Sequence, residues 1–219
     1  MKIFIVVPFY NEEKRLKRML DGIKGSKLEV VLVDDGSRDL SLAIAQKSGF
    51  DVIKHKVNLG KGAAMKTGTH AAFLKGADAV IFMDADGQHS LSDIPKFVKR
   101  LESEKYHIIF GTRKFDRNTP LERSLGNKVG SFLVNLLFGI KVTDLLCGFR
   151  ALTKKAFEAI DWESVGYGVE TEMVVKTGIL SLSHCEVPVK TIYLDKEKGV
   201  SLIDALAILG SVLVWRLKL

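Results

Sequence analysis

The sequence predicts a doubly wound α/β domain built on a mostly parallel sheet, and three observations predict it. Short β-branched runs alternate with helix-patterned segments through the first half of the chain. The runs are apolar almost throughout, as strands covered on both faces are. Four of them end in polar or acidic residues, and in such a sheet ligands bind beyond the carboxyl ends of the strands.

Each element follows in order. The run KIFIVV (2–7) is the first strand and ends in VPFYNEE; apolar residues then recur at helical spacing over 12–24. EVVLVD (29–34) is the second strand, ends in the turn sequence DDGS, and precedes a helix over 39–49. DVIKH (51–55) is the third, joined by NLGKG (58–62) to a helix over 62–76. AVIFMD (79–84) is the fourth and runs into MDADGQH. A helix over 90–104 follows, with Ser90 and Asp93 as a capping box and Pro95 in the first turn, where it is tolerated. HIIFGT (107–112) is the fifth and ends in FGTR. Segment 121–141 carries apolar residues on one side and Arg123 and Lys128 on another. The tail 201–219 is apolar all round from Ala205 to Trp215, shorter than the roughly 20 residues of a membrane span. With Trp215, Arg216 and Lys218 as anchors it reads as an interfacial helix, and a helix closing the core is the alternative.

Composition bounds the function. A chain of 219 residues with 47% hydrophobic and 27% charged residues, four prolines and no low-complexity tract forms one folded domain with an appendage. Cys147 and Cys185 are too few for a disulfide framework and read as buried free thiols in a reducing compartment. The apolar run before Pro8 is too short for a secretory signal, so the expected location is cytoplasmic. The net charge of +7 calls for an anionic partner, and Arg113, Lys114, Arg117, Arg123 and Lys128 concentrate it. Aromatic residues do not interleave with these bases, which argues against nucleic acid. An anionic membrane surface or a phosphorylated substrate fits.

The chemistry sits at the strand ends. Asp84 and Asp86 aim two carboxylates at one point, which costs stability unless a cation lies between them. Carboxylate oxygens suit magnesium or manganese, and magnesium completes its shell with water and substrate phosphates. MDADGQH therefore reads as a metal–diphosphate platform. Singly, each motif has a plain alternative: Asn11 as a helix cap, DDGS as an ordinary turn, NLGKG as a flexible joint. Their joint occurrence on one rim is what points to a site.

Together VPFYNE, EVVLVDDGSRD, NLGKGAAMKTG, MDADGQHS, FGTR, TDLLCGFRAL and CEVPV resemble the family 2 glycosyltransferases, most closely the dolichyl- and polyprenyl-phosphate hexosyltransferases such as dolichol-phosphate mannose synthase. The resemblance implies the GT-A fold, with residues 1–195 as the transferase domain and 196–219 as a C-terminal, membrane-associated helix. It implies an inverting transfer of a hexose from a nucleotide sugar, GDP-mannose first and UDP-glucose second, to a dolichyl or polyprenyl phosphate, with Mg2+ or Mn2+. Pro8, Tyr10, Glu12, Asp35, Lys61 and Asp84 would hold the donor; Asp84, Asp86 and Gln88 the metal; Arg113, Arg123 and Asn127 the acceptor phosphate; Asp86 and Arg113 would be catalytic. The expected setting is the cytoplasmic face of a membrane, and a membrane-anchoring partner protein is compatible with it. The chain departs from the family at Gly87, often Leu; at Leu145, elsewhere Pro; and at Leu202, where the late loop carries Lys.

Three other classes of protein make different demands on these residues. A sugar nucleotidyltransferase would need an N-terminal G-x-G-x-R loop, which is absent. A family 2 enzyme with a sugar hydroxyl acceptor would need a base within about 3 Å of the proton, whereas a phosphate acceptor, with a second pKa of about 6, would not. An idle donor-binding or membrane-docking module would not need Asp84, Asp86 and Arg113 intact. Glu170 and Glu172 lie in a helix-patterned segment, so their spacing of two turns at most one of them into the cleft.

Overall fold

The structure is a computed structural model that describes residues 1–113, 121–190, 192, 210–212 and 214–216, the side chains of 121–124 excepted. The described residues form one seven-stranded sheet in the order β3-β2-β1-β4-β6-β5-β7. Its strands are β1 (Ile3–Phe9), β2 (Glu29–Asp34), β3 (Asp51–Lys54), β4 (Ala79–Phe82), β5 (Ile108–Arg113), β6 (Arg150–Thr153) and β7 (His184–Val189). All neighbours run parallel except β6, which lies antiparallel between β4 and β5. The helices are α1 (Glu13–Ile23), α2 (Ser41–Gln46), α3 (Lys61–Leu74), α4 (Ile94–Glu102), α5 (Leu121–Phe138), α6 (Lys154–Ile160) and α7 (Val169–Ile179).

Two apolar layers sandwich the sheet, because successive strand residues point to opposite faces. Phe4 and Val6 of β1 join Val31 and Val33 of β2 under α3, whereas Ile3, Ile5, Val7 and Phe9 face Leu16, Met19 and Leu20 of α1. The helix over the first layer lies very close. A Cβ on Gly68 would fall 2.5 Å from Val6 Cγ1 and 2.9 Å from Val33 Cγ2, so α3 rests its backbone on β1 and β2. That contact sets Lys61, its first residue, over the carboxyl ends of the strands.

The five expected strands are present within a residue or two. Several other expectations change. Ser90 and Asp93 make no capping box: the Ser90 and Ser92 hydroxyls bond each other at 2.8 Å. Asp93 is buried instead, accepts the Lys190 N–H at 2.7 Å and pairs with Lys96 at 2.6 Å. Asn11 does not cap α1; it adopts φ +52° and accepts the Arg38 N–H at 2.9 Å, fastening the end of β1 to the turn after β2. Cys147 is a buried free thiol, but Cys185 is only half-buried. Most of the tail 196–219, Leu202 and Lys218 included, lies outside the described residues, as do Lys114 and Arg117. Within it, Val212 is buried in the α3-side core and Trp215 packs against that core. Among the described residues no helix is long and apolar enough to cross a membrane.

Candidate active site

The rim is built where β1, β2, β4 and β5 end. Beyond β4 the chain turns through Asp84, Asp86 and Gly87; Gly87 takes φ +72°, and the turn returns the Gln88 N–H to Asp86 Oδ1 at 2.9 Å. Lys61, leading α3, reaches across: its Nζ lies 2.6 Å from Asp84 Oδ1 and 2.7 Å from Glu170 Oε1 on α7. Gly148 backs this pair. A Cβ there would stand 2.5 Å from Asp84 Oδ2 and 2.9 Å from Lys61 Nζ, so a side chain at this position would have to displace the pair.

The charges follow from this packing. Burial alone would raise the Asp84 carboxyl, but the Lys61 ammonium outweighs it and holds the group down to about 2. Asp86 has the opposite balance. Burial first, then the neighbouring Asp84 charge, push its carboxyl up to about 6, with Glu12 adding in the same direction. Lys61 itself is held well above its ordinary value, because Asp84 and Glu170 overcome its burial. His89, stacked on Phe149 at 4.8 Å, accepts the Asp84 N–H at 3.2 Å, and burial draws its pKa down to about 4.

Asp84 and Asp86 fit a hard divalent cation. Asp86 faces a like charge, and its one recorded hydrogen bond among the described residues is from Gln88 N–H. No cluster of three or more His, Cys, Asp or Glu that could hold a metal occurs among the described residues. Two carboxylates with substrate phosphates are nonetheless the usual donor set for magnesium. For Gln88 the structure records backbone bonds, the second from Ile192 N–H to its carbonyl at 2.9 Å.

On the other side of the rim, Tyr10, Gly36, Ser37, Arg38, Val57 and Asn58 line a shallow pocket of about 230 Å³. Pro8 lies within β1, in register with Val33 of β2. Glu12 pairs with Arg15 at 3.3 Å and accepts the Leu16 N–H through its carbonyl. Asp35 turns inward. It is buried, contacts His55 Nδ1 at 2.8 Å, and accepts the Leu59 and Gly60 N–H groups at 2.9 and 2.8 Å. His55 Nε2 continues to Thr67 Oγ1 at 3.0 Å. So the residue expected to hold the base or ribose instead pins the loop that starts α3. Its neighbour Asp34 accepts Ser37 N–H through Oδ1 at 3.0 Å, and Oδ2 is buried with no hydrogen-bond partner.

Arg113, at the end of β5, is clasped by buried Asp144: Nε and Nη2 donate to its two oxygens at 2.7 and 2.9 Å, and the Arg113 N–H adds a third bond at 3.0 Å. Burial would lower the Arg113 pKa, but Asp144 holds it above its ordinary range. Asn127 also turns inward, against the expectation that it faces a phosphate. Its amide donates to the Thr143 carbonyl and accepts the Leu145 N–H, both at 3.0 Å, bracketing Asp144. Arg123 lies in the first turn of α5, and its side chain is outside the described residues. Asp144, Gly148 and Arg150 carry the site without having been singled out; all lie in TDLLCGFR, whose apolar look conceals them. Fully buried Arg150 donates to the carbonyls of Cys147 (2.7 Å), Leu145 (2.6 Å) and Glu170.

Residues 4–161 match the family model described as Glycosyl transferase family 2. The chain is 32% identical over 217 residues to the UDP-N-acetylglucosamine–dolichyl-phosphate N-acetylglucosaminyltransferase of Methanococcus voltae, covering 88% of this chain and 86% of that one. It is 27% identical over 215 residues to the undecaprenyl-phosphate mannosyltransferase of Micrococcus luteus, covering 92% and 87%. Among solved structures, glucosyl-3-phosphoglycerate synthase of Mycobacterium tuberculosis with UDP superposes with a TM-score of 0.74 at 20% identity, covering 98% of this chain and 80% of that one.

Proposed function

The chain belongs to glycosyl transferase family 2 and has the GT-A-like fold, and on that premise we propose that it moves a sugar from a nucleotide sugar to a polyprenyl or dolichyl phosphate. The relatives compared above act, by name, on dolichyl and undecaprenyl phosphates. The observation that carries the choice of acceptor is the state of Glu170. It is the carboxylate that α7 turns into the site, and it is ion-paired with Lys61 at 2.7 Å rather than poised as a base. A hydroxyl acceptor needs a base; a phosphate, largely dianionic at neutral pH, does not.

The residues divide the work. Asp84 and Asp86 hold the divalent cation, Mg2+ or Mn2+, with the donor diphosphate. When bound, that ion supplies Lewis-acid stabilisation of the leaving nucleoside diphosphate. Lys61 adds an ammonium beside the same diphosphate. Tyr10 and the turn after β2 receive the nucleoside. Arg113, oriented by Asp144, faces the acceptor phosphate, and Arg123 adds charge from α5; Asn127 acts by bracketing Asp144. An acceptor phosphate oxygen attacks the anomeric carbon from the face opposite the diphosphate, whose oxygen leaves, so the configuration inverts.

The lipid fits the outer face of α5. Leu125, Val129, Phe132 and Leu136 are 65%, 45%, 64% and 68% exposed, at spacings of four, three and four, which places them on one stripe of the helix. The stripe suits a peripheral position on the cytoplasmic face of the membrane. Leu137, also on α5, packs against the core instead. The test is incubation with labelled GDP-mannose, UDP-glucose and UDP-N-acetylglucosamine, each with a polyprenyl phosphate and Mn2+. Label in the lipid phase from one donor is the expected result and names the sugar. Transfer only to a soluble hydroxyl acceptor would overturn the reading.

A further inference from the structure

We propose that Glu170 is a positioning residue that gives Lys61 a second seat: it retains the ammonium when a cation-bound diphosphate claims Asp84. The proposal rests on the metal–diphosphate reading above.

Three observations meet at this point. Lys61 Nζ contacts Asp84 Oδ1 and Glu170 Oε1 at once, at 2.6 and 2.7 Å. An ammonium carries three donors and no acceptor, so it can be held by both and given up by one. Glu170 is only 4% exposed, and its Oε2 is buried with no hydrogen-bond partner. Leaving a carboxylate oxygen without a hydrogen bond in the interior is costly. A second donor bond from a relocated Lys61 would satisfy it. The surroundings also confine the movement. The Gly148 backbone closes one side of the Lys61–Asp84 pair. Arg150 fixes the Glu170 carbonyl and the 145–147 segment together, so the second seat does not drift.

The physical need is plain. In the protein without donor, Lys61 neutralises the carboxylate that the incoming cation requires. A buried ammonium stripped of Asp84 would be an uncompensated charge, and it would repel the cation as well. Glu170 removes both penalties. Lys61 can leave Asp84 without leaving its counter-charge, and it stays next to the diphosphate. Without Glu170, Asp84 would be the one carboxylate in direct contact with Lys61 among the described residues, and ammonium and cation would compete for it.

The experiment measures Mn2+ binding by electron paramagnetic resonance, alone and with UDP or GDP, on the full chain. Glu170→Gln should weaken Mn2+–nucleotide binding by about tenfold or more, the scale seen when an outer partner of a metal ligand is lost. Adding Lys61→Met to that variant should restore binding of Mn2+ alone, because the competitor is gone; a merely structural Glu170 would not be rescued this way. If Glu170→Gln does not fold, Lys61→Met carries the test and should bind Mn2+ alone more tightly than the unsubstituted chain. Equal binding by Glu170→Gln and the unsubstituted chain, or a double variant as weak as Glu170→Gln, overturns this inference and leaves the transferase reading standing. Failure of the unsubstituted chain to bind Mn2+ with either nucleotide overturns both.

Discussion

Two acidic pairs end two parallel strands that flank β1, and the fold uses them in opposite ways. After β2, Asp35 is buried among donors: two backbone N–H groups and His55 fill its oxygens, and the chain from Leu59 to Gly60 is shaped around it. After β4, Asp84 faces Lys61, and Asp86 faces Asp84, with one backbone N–H for compensation. In the first pair Asp35 is solvated by the protein, although Asp34 Oδ2 beside it is buried with no hydrogen-bond partner. The second is left short of positive charge, which is what a site waiting for a cation needs. Motif and strand position are shared, so the difference lies in what the following segment supplies. NLGKG brings N–H groups back to Asp35, whereas DGQ closes a tight turn that supplies one.

The largest effect expected from this contrast is on transfer. Asp86→Asn should lose several kcal/mol of leaving-group stabilisation, on the order of a hundredfold or more in rate. A chelator should abolish the transfer of the unsubstituted protein, read as label in the lipid phase. Full transfer by Asp86→Asn would show that the two pairs do not differ in the way described. Asp35→Asn comes next and acts on stability. It leaves a buried amide among donors that all need an acceptor, at a cost of about 2–4 kcal/mol, measurable by urea unfolding.

The same Asp→Asn change should have the opposite sign at Asp86. Its folded pKa is raised from 3.8 to about 6, so ionisation costs the folded state across that interval and the cost is complete above it. At pH 7, without metal, Asp86→Asn should therefore be more stable than the unsubstituted chain by about 1–3 kcal/mol. The gain should shrink as pH falls through about 6 and vanish below 3.8, where both forms are neutral. A loss of stability at pH 7 would mean that Asp86 is satisfied like Asp35.

The comparison also marks how much could be read in advance. The strands, the helices between them and the rim itself are legible because apolar runs and polar strand ends follow from burial on both faces. Asp84, Asp86 and Lys61 come together as their positions imply. Strand β6 is not legible, since RALT is four residues of sheet between a loop and a helix, with a charged Arg150 at its start. Nor is the inward turn of Asp35 and Asn127, because a carboxylate or amide at a strand end or helix face looks the same whether its partners are ligands or backbone. Those partners lie 20 residues away for His55 on Asp35 and 16 for Thr143 on Asn127, and only the fold brings them in. Glu170 shows the reverse: the helical period correctly separates it from Glu172, but only the structure reveals Lys61 as its partner.

That separation on α7 repeats the contrast at smaller scale and yields the smallest predicted effect. Glu170 is turned to the site with one oxygen orphaned, while Glu172, two residues on, accepts the Glu163 and Ser164 N–H groups at 2.8 and 2.7 Å and pairs with Lys176 at 2.9 Å. Burial alone would raise the Glu172 carboxyl, but its hydrogen bonds from Ser164 and Glu163 and the Lys176 contact outweigh it and hold it below the usual 4.5. A carboxylate lowered on folding contributes stability above its unfolded value and loses it as pH falls through the folded one. Glu172→Gln keeps one acceptor and loses the other, so it should cost about 1 kcal/mol at pH 7, and the difference should close as pH drops below 4.5. Because the 164–165 backbone packs on Gly60 and Gly62 at the start of α3, some loosening will reach Lys61. It should be minor, since Gly68 still seats α3 on the sheet. Urea unfolding at pH 7 and pH 4, with Mn2+ binding at pH 7, gives both readouts. If Glu172→Gln impaired Mn2+ binding as strongly as Glu170→Gln, the two acids would form one unit, and α7 would not divide a site carboxylate from a structural one.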